Sequence, residues 1–131
     1  MLEKNSDTLK IVFKHFPLRN HKMAQPAAVA AMAAHDQGKF WEYHDLVFKN
    51  YRKLNDKLLD QFAVDAGLDK AAFDAKRKDP ELLQKVQQDY KDGVAVGLRG
   101  TPTIYVNGRL VKNRSLQGLQ ALIDKELKKQ K

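Results

Sequence analysis

The stretch AQPAAVAAMAAHDQ, residues 24–37, restricts the fold more than any other part of the chain. Alanine is the strongest helix former, and Pro26 fits a helix only within its first turn. A helix is therefore predicted, with side chains small enough for neighbouring helices to approach closely. Gly38 ends it, and FWEYHDLVFKNY follows with apolar residues at Phe40, Tyr43 or His44, Val47 and Tyr51, near helical spacing. A second helix that docks its aromatics on the alanine-rich one is the expectation, with Phe40, Trp41 and Phe48 read as packing residues.

Further helices follow from their caps. Asn55 is an N-cap candidate for residues 56–66, with Leu58, Leu59, Phe62 and Ala66 inward and Gly67 as the stop. A short helix carrying Phe73 begins after Asp69. Asp79-Pro80-Glu81 combines an N-cap, a first-turn proline and an acidic first turn, opening a helix with Leu83, Val86 and Tyr90 on one stripe. Ser115 caps a last helix, striped by Leu116, Leu119, Leu122, Ile123 and Leu127.

Two regions read as strands. LKIVFKHF, residues 9–16, sets Ile11, Phe13 and His15 on one face and Val12, Lys14 and Phe16 on the other, as in a strand covered on both sides, and Pro17 closes it. After Pro102, TIYV and RLVKN flank Asn107-Gly108, the dipeptide suited to a two-residue type I′ hairpin. The predicted order is strand, four or five helices, hairpin, helix.

Composition excludes several functions. At 131 residues and 43% hydrophobic, the chain suits one domain with a modest core. The absence of cysteine excludes disulfides, thiolate metal sites and thiol chemistry by this polypeptide alone. The formal charge of +8 is spread along the chain, densest in the helix end KELKKQK, and no basic stripe interleaves with aromatics as a nucleic-acid platform requires. No apolar run approaches the roughly 18 residues of a membrane span, and the sequence MLEKNSDTLK lacks the basic-then-apolar order of a secretory signal. A soluble chain with no nucleic-acid partner and no membrane span is expected.

In this order, a strand ending FKHFPL, the pair AAVAAMAAHDQGKFWEYHDLVF and the loop GLRGTPTIYVNGRLV before a final helix resemble DsbA-family thioredoxin-fold proteins. The resemblance runs from about Leu9 to the C-terminus. It implies an α/β, thioredoxin-like fold in a single truncated domain over residues 1–131, with a helical insertion at about 23–96 and an incomplete sheet. It also implies that Thr101-Pro102 is the family's cis-proline turn. Family members begin with a strand, then Cys-X-X-Cys at a helix start, then the strand resembling LKIVFKHF; here MLEKNSDT resembles the tail of that helix. The first strand and both cysteines are missing, so the family's catalytic residues have no positions in this chain. The missing strand is the central one, which leaves open inner edges and an expected homo-oligomer paired through them.

The resemblance implies a thiol:disulfide oxidoreductase family member without its redox centre, inactive by itself. Three readings stand beside one another: a fragment of an oxidoreductase whose upstream sequence carries the strand and Cys-X-X-Cys, a redox-dead peptide-binding or chaperone-like module, and an oligomerising structural protein. The second places its site at Gly100, Thr101 and Pro102, with an unfolded or extended polypeptide as partner. The family points to a periplasmic or other extracytoplasmic space while no signal is read in this chain, so no compartment is assigned.

Other candidates are weaker. His15, His21, His35 and His44 lack metal-ligand spacing, so no metal or other cofactor is expected, and His15 reads as a core histidine. A Ser/His/Asp set drawn from Ser115, His44 and Asp45 has a simpler explanation: Ser115 is a cap, and adjacent helix positions are expected to point apart.

Overall fold

The computed structural model describes residues 5, 7–18, 21–98 and 100–129. Most of the expected helix tail at residues 1–8, two residues of the loop PLRNHK, and Arg99 in GLRGTPT lie outside that set. The elements run α1 (Ala24–His35), α2 (Phe40–Lys49), a 3-10 turn (Tyr51–Lys53), α3 (Asp56–Asp65), α4 (Lys70–Arg77), α5 (Pro80–Ala95), β1 (Tyr105–Val106), β2 (Arg109–Leu110) and α6 (Leu116–Lys129). Contacts divide the chain into a helical unit, residues 15–97, and a hairpin unit, residues 1–14 with 98–131.

The helical unit is built around α1. Ala30, Ala33 and Ala34 are fully buried there, together with Tyr43, Leu59, Ala63, Phe73 and Val86 from the surrounding helices. With no atom beyond Cβ, Ala30, Ala33 and Ala34 let larger residues from neighbouring helices fill the space against the α1 backbone. The Tyr43 hydroxyl donates to the Leu59 carbonyl at 2.8 Å, and its ring packs near Phe62 and Phe73. Burial holds the Tyr43 phenol well above its ordinary pKa.

Local chemistry sets the helix starts. Asn55 Oδ1 accepts from Leu58 N at 2.8 Å, Asp69 Oδ1 from Ala72 N at 3.1 Å, and Asp79 Oδ1 from Glu81 N at 3.0 Å. Each satisfies an amide that the helix itself leaves unpaired. Gly67 follows α3 at φ +76°, a conformation that favours glycine.

Two expectations are corrected. Residues 9–16 form no strand: no ladder pairs with them among the described residues, and Ile11 and Val12 are 48% and 62% exposed. An alternating apolar sequence becomes a strand only where another strand supplies hydrogen bonds, and among the described residues none does so here. The aromatics of α2 also divide. Tyr43 is buried, while Trp41 and Phe48 lie on the exposed side of the helix.

The hairpin unit forms as read. β1 and β2 pair antiparallel, Tyr105 opposite Leu110 and Val106 opposite Arg109, in a sheet of two strands among the described residues. Asn107 at φ 47° and Gly108 at φ 80° make the turn, both in the left-handed region a type I′ hairpin requires. The fold is thus mostly helical with a small sheet.

Candidate functional site

The loop entering β1 lies wholly in the hairpin unit and is held at both ends. The Thr101–Pro102 peptide bond is cis, and both residues are exposed. Thr103 Oγ1 donates to the Gly100 carbonyl at 2.7 Å, closing the turn locally. Arg114 Nη1 donates to the Pro102 carbonyl at 2.6 Å, tying the turn to the segment before α6. Gly100, Thr101 and Pro102 therefore sit together as one outward-facing turn. The sequence gives no hint of Arg114, because its role depends on a hairpin bringing it back to a carbonyl twelve residues earlier.

Backbone direction follows from one bond. Val111 N donates to the Ile104 carbonyl at 2.8 Å, so the polar groups of Ile104 face β2. Polar groups alternate sides along an antiparallel strand, and those of Tyr105, the first residue of β1, consequently face the opposite edge. Among the described residues no strand pairs along that edge.

Two polar contacts support the hairpin unit. Asn5 and Gln120 exchange amide hydrogen bonds of 2.8 and 3.0 Å, joining residue 5 to α6. Arg109 Nε lies 2.8 Å from the buried Glu126 carboxylate, which links β2 to the same helix. Ser115 Oγ accepts from Gly118 N at 3.0 Å, so Ser115 acts as the cap of α6.

The remaining candidates fall in the helical unit. His15 is buried, its backbone N–H donates to Asp89 Oδ2 at 3.1 Å, and its ring meets Phe40 edge-on at 6.0 Å. Burial lowers its pKa to about 4, and the Asp89 carboxylate offsets that only in part. His44 and Asp45 do meet, with Nδ1 to Oδ1 at 3.2 Å; this corrects the expectation that they point apart. Asp45 is exposed, and the pair has the character of a surface contact. Among the described residues no cluster of three or more His, Asp or Glu side chains is arranged to hold a metal.

The family model of a DSBA-like thioredoxin domain matches residues 1–124. The chain belongs to that family. Relatives of this DSBA-like domain include the Na(+)/H(+) antiporter NhaA of Herminiimonas arsenicoxydans, 36% identical over 106 residues. That match covers 81% of this chain and 17% of the relative. NhaA 1 of Mycolicibacterium vanbaalenii is 40% identical over 105 residues, covering 78% of this chain and 17% of the relative. NhaA 1 of Mycolicibacterium gilvum is 39% identical over 106 residues, covering 79% and 17%. The DSBA-like domain thus spans about a sixth of the length of these curated relatives. With no cysteine in its sequence, it is a thioredoxin-like domain that cannot itself attack a disulfide with a thiolate.

Proposed function

We propose that the domain binds extended polypeptide without redox chemistry, at the turn of Gly100, Thr101 and Pro102 and along the edge of β1 that follows it. The observation that carries this reading is the outward direction of the Tyr105 backbone groups beside an exposed turn held by Arg114. An extended chain laid there gains main-chain hydrogen bonds whatever its sequence, as strand addition requires. The test is suppression of aggregation of a chemically unfolded client, with no reductant present. Tyr105→Pro removes one outward N–H and leaves the bonds to β2 in place, so it abolishes protection while Tyr105→Ala retains most of it. Protection that survives both Tyr105→Pro and Pro102→Ala shows that the client binds elsewhere.

The relatives' names favour a second reading, in which the domain works as an accessory part of a sodium/proton antiporter. Detecting the native product by antibody in its own cells decides this. A mass well above the 15.0 kDa of this chain, or co-purification with an antiporter, supports it; a solitary product of 15.0 kDa refutes it.

A further inference from the structure

The outer side of α2 carries aromatic rings in contact with one another. Trp41 and His44 meet with ring centroids 5.2 Å apart, and His44 and Phe48 at 4.3 Å, in a row along one helix face. Trp41 is 45% exposed and Phe48 58%, and Tyr51 in the following 3-10 turn is 60% exposed. Arg52 Nε donates to the Tyr51 hydroxyl at 2.9 Å, and its guanidinium lies 5.4 Å from that ring, holding a cation beside the aromatic group. Lys39, Lys49, Arg52 and Lys53 flank the row, against the two acids Glu42 and Asp45, and the chain as a whole carries +8.

We propose that this face docks on an anionic lipid surface, with Trp41, Phe48 and Tyr51 entering the headgroup region and the flanking cations meeting lipid phosphates. Trp and Tyr favour the membrane interface because their rings are apolar and their tips polar. Lysine and arginine beside them are drawn by the negative potential of acidic lipids, which supplies the charge complementarity. The docking is peripheral, since no helix among the described residues is long and apolar enough to cross a membrane. The β1 edge lies in the other unit.

The chain's one tryptophan is Trp41, so fluorescence excited selectively at tryptophan reports on this face alone. Vesicles containing phosphatidylglycerol are expected to shift its emission to the blue, and pure phosphatidylcholine vesicles or high salt to weaken the effect strongly. Phe48→Ser should weaken vesicle binding about tenfold through lost apolar burial. Lys49→Gln and Arg52→Gln should each weaken it about fivefold. All three side chains are exposed, and thermal unfolding of each variant checks that the fold is kept. Emission unchanged by anionic vesicles overturns the proposal, as does equal binding by Phe48→Ser. A lipid-free blue shift that grows with protein concentration, together with a doubled mass, overturns it in favour of a second copy covering the face.

Discussion

The backbone N–H of His15 donates to Asp89 Oδ2 at 3.1 Å, across 74 residues of sequence, and fixes the segment leading towards α1 against α5. The bond places the imidazole in the interior, where its charged form is disfavoured. Among the described residues, Asp89 and Lys85 on α5, His44 on α2 and His35 on α1 are the charged or titratable groups acting on it.

Stability should therefore fall with acid. The folded pKa of about 4 lies below the ordinary 6.5, so the unfolded chain takes the proton first. This contribution is intact above about pH 6.5 and is lost progressively down to about pH 4, amounting to about 3 kcal/mol at roughly 1.4 kcal/mol per unit. His15→Gln keeps the backbone bond to Asp89 and should flatten urea-unfolding stability between pH 6.5 and 4.5. An unchanged slope in that variant would place the acid sensitivity on other groups.

Tyr43→Phe removes the bond to the Leu59 carbonyl while keeping the ring among Phe62 and Phe73. A loss of about 1 kcal/mol is expected. Tyr43→Ala should cost about 3–5 kcal/mol, because it also opens a cavity. Denaturant midpoints measured side by side separate the hydroxyl from the packing.

Enlarging α1 should be harmful where enlarging α4 is not. Ala33 is fully buried against neighbouring helices, whereas Ala71 is exposed. Ala33→Leu should destabilise by about 1–3 kcal/mol through overpacking. Ala71→Leu should stay within about 0.5 kcal/mol. Calorimetric melting of the two variants reads the contrast directly.

Gly118→Ala offers a change of sign. Helix propensity alone favours alanine by about 1 kcal/mol. A Cβ at Gly118 would sit 2.5 Å from Asn113 Cγ and 2.6 Å from its carbonyl oxygen, so the segment before α6 must move. Asn113 Oδ1 also accepts from the Ser115 amide and hydroxyl, at 3.1 and 2.8 Å, and that movement would disturb the cap. Net destabilisation of about 1 kcal/mol or more is expected in thermal unfolding. A stabilised variant would show that Asn113 yields without cost.

Much of the architecture was legible because its signals are local. Asn55, Asp69, Asp79 and Ser115 each cap the helix they were read to start, and Asn107-Gly108 makes the hairpin turn. These effects act within a few residues, and the bonds reach no farther. LKIVFKHF misled because alternation records a preference for two covered faces and does not supply the partner strand. Trp41 and Phe48 misled because a large aromatic ring favours packing, while residue type does not say which side of a helix a neighbour will cover.

The candidate site divides along the same line. Gly100, Thr101 and Pro102 stand out in the sequence, whereas Arg114 on the Pro102 carbonyl and the Asn5–Gln120 amide pair needed the folded chain to be seen. By itself the sequence determined the helix starts, the hairpin, the alanine-rich centre and the absence of thiol chemistry, all consequences of residue type and short-range bonding. Only the tertiary structure decided that residues 9–16 lie outside any strand, that His15 meets Asp89, and that one side of α2 remains exposed. Those outcomes depend on which distant groups supply hydrogen bonds and exclude water, and distant pairing is set by the packing of the whole chain.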